Sequence, residues 1–349
     1  MRRSGAWLFA LLLGACGPTN SPPIAAVHAP PKPPPPPATA TATASAAATT
    51  EPAPEPLPEG SATPEDAERV LFLATDLRTD NLRKTCPVTL APAPRIRCLL
   101  SLRYIDDRES EKLALTLYAE TGSLAGLLPE ETSDDGHGGK VHLLPARPVD
   151  RNREHLTWII GAFRDYKRFL DGISTHLGPG AKVAFRDRPV DFRFFYSEKG
   201  GHPSAFAVRR NIGYNLFGAL NVSDSTVRDT LFHEIFHLND SRLGDVSSGP
   251  LAALRDSIVA KCGKRVACLT PYSPTDTRMF GGFYAFTDAS GAREYAAELG
   301  LRYYREHRLL LEGKPLPVKP FKCGPPENAA ALRLIADAFF GGVDLVPPC

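Results

Sequence analysis

The chain has 349 residues, with 41 Lys or Arg against 39 Asp or Glu, a net charge of +2 at pH 7. The two signs are well mixed, which argues against a nucleic-acid partner, since that would need a clustered basic face. The 34 prolines are unevenly spread, so not all of this length can belong to a packed core.

The chain opens with Met1-Arg2-Arg3, an apolar run from Ala6 to Leu13, then Leu13-Gly14-Ala15-Cys16. A short basic region followed by a brief apolar one is a secretory signal, too short for a permanent membrane helix. Leu-Gly-Ala-Cys resembles the bacterial lipobox, which implies that Cys16 becomes the lipidated N-terminus; the alternative is an ordinary signal peptide with an incidental Cys16. Gly17 stands where lipoproteins retained at the inner membrane carry Asp, which favours the outer membrane. Residues 1–16 are therefore read as a signal. Residues 17–63, rich in Pro, Ala and Thr, form a spacer unable to bury enough apolar surface to fold. No later stretch has the roughly 18 continuous apolar residues of a spanning helix, so the lipid is the expected tether of an exported, soluble body.

Folding is expected to begin near Thr63, where Thr63-Pro64-Glu65-Asp66 reads as an N-cap, a first-position proline and an acid at the third position. Residues 64–149 read as an N-terminal helical subdomain, helical to about residue 130 and closed by a Gly/Asp-rich break at Ser133 to Gly139. Residues 150–349 read as the catalytic domain. A long amphipathic helix over Asp150 to Leu177 leads it, carrying Leu156, Ile159, Ile160, Phe163, Tyr166, Phe169 and Leu170. Strand-like runs follow at Val190 to Tyr196, Ser204 to Val208 and Ile212 to Leu220. Asp224 or Ser225 then caps a helix reaching about Asp240. Further helices are expected at Leu251 to Lys261, Ala292 to Leu311 and Glu327 to Phe340. Mostly antiparallel strands, one central helix and a helical C-terminal half make an α+β order.

With Cys16 set aside, six cysteines remain: Cys86, Cys98, Cys262, Cys268, Cys323 and Cys349. Six allow 15 pairings. Joining nearest neighbours closes three short loops and is the natural choice in an oxidising compartment.

The chemistry centres on His233-Glu234-Ile235-Phe236-His237. Residues four apart on a helix share a face, so His233 and His237 can offer nitrogens to one Zn²⁺. Glu234 then falls beside the open position, placed to take a proton from an activated water. A third ligand is needed. Leu243 occupies the position where one zinc-peptidase subclass carries a third histidine, so a downstream acid is required. Glu294, in Glu294-Tyr295-Ala296-Ala297-Glu298, is the best candidate. Glu298 shares its face and would hold a ligand histidine by the other ring nitrogen. The small alanines between them let two helices approach. His142 and His202 read as loop residues without a metal role, and His307 as a surface residue.

These motifs resemble the gluzincin peptidases of the anthrax lethal factor type, over roughly Val190 to Phe340. The resemblance rests on Phe232-His233-Glu234-Ile235-Phe236-His237 followed by Asp240, on Glu294 to Leu299, and more loosely on Tyr284-Ala285-Phe286-Thr287-Asp288. It implies a zincin-like α+β domain, endopeptidase activity, His233, His237 and Glu294 as zinc ligands, and Glu234 as base. It also implies a tyrosine that stabilises the oxyanion. Tyr284 is the first choice, although its spacing to Glu294 is slightly long, and Tyr272 is the rival. By analogy the strand before the motif helix, Ile212 to Leu220, would pair with extended substrate. The expected protein is a monomeric zinc peptidase acting on peptides or proteins. An inactive binding or structural lipoprotein, and a zinc amidase acting on cell-wall peptide, are the competing readings.

Overall fold

The computed structural model describes residues 59–76, 79–134, 139–198, 201–279, 281–287 and 291–349. The signal segment, Cys16, nearly all of the spacer and Asp288 lie outside the described residues. Helix α1 (Pro64–Leu71) starts at a capping box: Asp66 N–H donates to Thr63 Oγ1 at 3.1 Å and Thr63 N–H to Asp66 Oδ2 at 3.3 Å. Pro64 sits where a missing N–H costs nothing. Helices α2 (Thr79–Thr85) and α3 (Pro92–Arg103) are stapled by Cys86–Cys98. Helix α4 (Arg108–Thr121) ends on Gly122, whose φ of +69° is the left-handed cap geometry.

Strands β1 (Ala125–Leu127), β2 (Glu131–Asp134) and β3 (Lys140–Pro145) follow where helical periodicity and a Gly/Asp-rich break suggest none. Strand β1 is buried at all three positions, so it carries no alternation that would reveal it. A Cβ on Gly126 would lie 2.1 Å from the Val70 carbonyl oxygen, so only glycine lets α1 press onto this strand. Helix α5 (Glu154–Ser174) then buries Leu156, Ile159, Ile160, Phe163, Tyr166 and Phe169 along one stripe.

Strands β4 (Asp191–Ser197), β5 (Ala205–Val208) and β6 (Asn211–Asn215) complete a mixed sheet in the order β2-β3-β4-β6-β5, with β1 also on β4. Strand β4 is parallel to both β1 and β6, and the remaining pairings are antiparallel. The expectation of a mostly antiparallel sheet misses these two parallel ladders. From β4 the chain skips outward to β5 and returns as β6 between them. The outer strand is therefore β5. This corrects the expectation that Ile212 to Leu220 forms the exposed edge, because β6 is paired on both sides.

Helix α6 (Asp224–Arg242) carries the motif and is capped by Ser223, one residue earlier than expected, in a reciprocal box with Thr226. The C-terminal half holds α7 (Pro250–Cys262), α8 (Val266–Leu269), the short strands β7 (Arg278–Met279) and β8 (Gly282–Phe283), α9 (Gly291–Leu311) and α10 (Pro326–Phe339). Cys262–Cys268 and Cys323–Cys349 complete the nearest-neighbour pairing. Three disulfides fit an oxidising compartment, and among the described residues no helix is long and apolar enough to cross a membrane. All described residues belong to one α+β unit, Glu55–Cys349.

Helix α6 packs against α5 and α9. Phe232 of α6 stacks on Tyr304 of α9 at 4.3 Å and on Phe185 at 5.1 Å, while Tyr166 of α5 meets both Phe232 and Tyr304 edge-on. The two helices touch at Gly300, where a Cβ would lie 2.2 Å from the Phe236 ring. Gly300→Ala should therefore cost about 1–3 kcal/mol by forcing α9 off α6. A thermal melt that matched wild type would show that the two helices are not held at contact.

Candidate metal centre

On α6, Phe232, Ile235 and Phe236 point into the core and fix the helix's rotation. That rotation leaves His233, Glu234 and His237 facing α9 and the sheet edge. His233 and Glu234 are each 8% exposed. The imidazoles lie edge to face with centroids 4.8 Å apart. Glu294, in the first turn of α9, places Oε2 2.8 Å from His233 Nε2 and 3.2 Å from His237 Nε2, and the two Nε2 atoms are 3.1 Å apart. Three donor atoms from two helices thus converge on one point.

Fit to a cation follows from the spacing. Ligands on a tetrahedral ion with bonds of about 2.0–2.1 Å stand about 3.3 Å from one another. The observed separations come within half an ångström of that. Charge agrees. Three carboxylates, Glu234, Glu294 and Glu298, surround two imidazoles in a site largely closed to water, where uncompensated negative charge is costly. Burial alone would make His233 harder to protonate, but its bonds to Glu294 and Glu298 prevail and hold its pKa well above the usual histidine range. Burial likewise opposes ionisation of Glu294, yet the two histidines hold its pKa far below the usual carboxylate range. The group can hold a metal ion.

The surroundings are built to orient it. Glu298 is 2% exposed, and its Oε1 lies 3.0 Å from His233 Nδ1, the bond that leaves Nε2 free to ligate. Its other oxygen accepts from the Thr275 hydroxyl, which also lies 3.0 Å from Thr277 Oγ1. Nothing in Ser273-Pro274-Thr275 marks this role in the sequence, since the residue sits in a loop 23 positions from its partner. Arg293, next to Glu294, donates to Ser241 Oγ at 2.6 Å and so ties the start of α9 to the end of α6. Asp240 is buried and accepts from Ser247 N–H at 2.9 Å and from its hydroxyl, an anchor for the turn after α6.

The Ala207 N–H of β5 comes near enough to Glu234 to favour its ionised form. Burial, the largest influence, pushes its pKa up despite the neighbouring histidines. Strand register explains the donor. Asn215 N–H donates to the Ser204 carbonyl at 3.0 Å, so in the alternating antiparallel ladder Ala205 and Ala207 turn their polar groups to the free edge. Tyr284 comes to the site. Its ring centroid is 6.0 Å from that of His233, and its phenol lies within the influence of the Glu294 carboxylate. Burial, then Glu294 and Glu234, raise the pKa of this phenol, so it remains protonated and a donor. The rival Tyr272 does not come to the site: its hydroxyl meets Lys261 Nζ and its ring lies under the same ammonium.

A cleft of about 250 Å³ opens over Glu234, His233 and Tyr284 and runs along α6. His202, expected to be a plain loop residue, stands exposed at its wall. His142 is paired with Glu130 and Glu198 instead. His307 is not at the surface as expected. It is buried, stacked on Tyr303 at 3.7 Å, because the C-terminal segment bonds back to Tyr303 through Val343.

Thr275→Val keeps the volume of the side chain but removes the hydroxyl that steadies Glu298. Affinity for Zn²⁺, measured by competition with a chromophoric chelator, should fall about 10-fold or more. An unchanged affinity would mean that Glu298 needs no such support. No family model matches the chain, and neither a curated protein nor a solved structure matches it significantly, so its chemistry has to be read from these side chains.

Proposed function

We propose that the protein is a zinc peptidase of the gluzincin type on a zincin-like fold. The observation that carries this is the convergence of His233, His237 and Glu294 on one point with Glu234 beside it. Two imidazoles and one carboxylate are a donor set of catalytic zinc sites, which keep a fourth position open for water or substrate. When bound, zinc would lower the pKa of water and polarise a carbonyl.

The chain's own residues supply the rest. Glu234 takes the proton of the attacking water and delivers it to the leaving amine. A buried carboxylate with a raised pKa suits both halves of that transfer. The Tyr284 hydroxyl, kept protonated by its raised pKa, donates to the developing oxyanion. An extended peptide adds to the free edge of β5, where Ala205 and Ala207 direct their polar groups outward. Substrates bind as one more strand.

The purified protein should contain about one zinc per chain and hydrolyse casein or cell-wall peptide. Glu234→Gln should keep the metal and lose about 10²–10⁴-fold in kcat/KM. Tyr284→Phe should lose about 10²–10³-fold with KM little changed. Bound zinc without hydrolysis of any peptide would instead favour a non-catalytic binding lipoprotein.

The anchor belongs to the same proposal and is carried by Leu13-Gly14-Ala15-Cys16 with the Pro-rich spacer behind it. On this reading Cys16→Ser should move the protein from the membrane to the soluble fraction of the envelope. Retention in the membrane would remove the lipid.

A further inference from the structure

The cleft does not end at the metal centre. Asp229 and Arg305 line both it and a second recess of about 260 Å³, so one ion pair is the partition between them. The recess is walled by Arg228, Arg302, Arg305 and Arg308, with Asp229 and Glu306 as its only acids. Two of the four guanidinium groups are answered there: Arg305 by Asp229 at 2.7 Å and Arg302 by Glu306 at 2.7 Å. The other two, Arg228 and Arg308, both look to one buried carboxylate, Asp165, at 3.6 and 3.7 Å, and Arg228 also lies 4.0 Å from Asp229. Asp165 is also engaged by the Tyr304 hydroxyl at 2.6 Å. Arg308 has one further partner, Glu312 at 2.9 Å. The Nε atoms of Arg228 and Arg308 are buried without a hydrogen-bond partner. The lining therefore carries four guanidinium groups against two carboxylates, and planar guanidinium groups are matched to carboxylates.

Distance along α6 sets where such a ligand would sit. Asp229 and Arg228 precede His233 by four and five residues, about 6–8 Å at 1.5 Å per residue. An extended peptide advances about 3.3 Å per residue. The recess therefore opens two to three residues from the bond over Glu234.

Resting on the peptidase reading above, we infer that this site selects peptides bearing a carboxylate two to three residues from the scissile bond. Arg305 receives it through Nη1, since its bonds to Asp229 run through Nε and Nη2. The carboxylate comes from an acidic side chain or from the end of the chain.

The test compares fluorogenic peptides that differ only there: Glu in a C-terminally amidated peptide, Gln in the same amide, and Gln in a peptide whose free C-terminus falls at that distance. With zinc-loaded wild type, kcat/KM for at least one carboxylate peptide should exceed that for the Gln amide about 10-fold. Which carboxylate wins tells side chain from terminus. Arg305→Gln should bring the ratio towards one, while Arg305→Lys should keep most of it. Equal cleavage of all three by wild type overturns the inference, whether or not the variants fold, and so does a ratio that Arg305→Gln leaves intact. If no peptide is cleaved, the peptidase reading fails, and the recess is judged by fluorescence anisotropy on zinc-loaded Glu234→Gln protein. About 10-fold tighter binding of a carboxylate peptide upholds it; equal binding overturns it.

Discussion

Everything at the site depends on how closely α9 lies against α6. Glu294 can meet His233 and His237 only if the two helix backbones approach more nearly than large side chains permit. Ala296, Ala297 and Gly300 are the residues that permit it, and Phe236 fills the space a Cβ on Gly300 would take. The stacked pair Phe232 and Tyr304 then fixes the rotation of each helix about its own axis. Packing and chemistry are one constraint here. The same two helical faces that exclude water from the core bring three donor atoms together.

That arrangement leaves a charge imbalance that the protein cannot resolve by itself. Glu234, Glu294 and Glu298 are all buried or nearly so, and the two histidines are neutral unless they bind protons. His233 bonds one carboxylate through each ring nitrogen, Glu294 at Nε2 and Glu298 at Nδ1. A proton on His233 is thus the smallest cation that relieves the site, and the two carboxylates beside it raise its pKa. A divalent ion would meet that demand more fully, with His233, His237 and Glu294 as the residues able to hold it. The outward reach of Glu298 to Thr275 keeps its carboxylate turned to His233 Nδ1.

What could be read in advance was whatever depends on local spacing. His233 and His237 share a face because a helix has 3.6 residues per turn, whatever the fold around it. Glu294 and Glu298 stood out because small residues between two acids are a sign of close helix packing. The disulfides followed from short loops. What depends on strand order or distant assembly was not legible. Strand β5 is the outer strand only because β6 folds back between it and β4, and no residue in Ala205 to Asn215 records that. Strand β1 hid because both its faces are covered. His307 lies on an ordinary helical stretch and is buried by a tail some forty residues later. The arginine recess is likewise assembled from α6 and α9, with Arg228 and Arg302 more than seventy residues apart and no shared motif.

The register of β5 joins the two halves of the site. In an antiparallel ladder only every second residue turns its polar groups outward, and here those residues are Ala205 and Ala207. The Ala207 N–H favours the ionised form of Glu234, so the carboxylate stands by one defined step of the edge. Shifting β5 by one residue would turn Ala207 inward and remove this donor. The hairpin with β6 holds that register through Phe206, whose ring packs over Gly213 where a Cβ would come within 2.3 Å. A glycine on an interior strand, costly in itself, thus fixes the distance between a sheet edge and a carboxylate on α6.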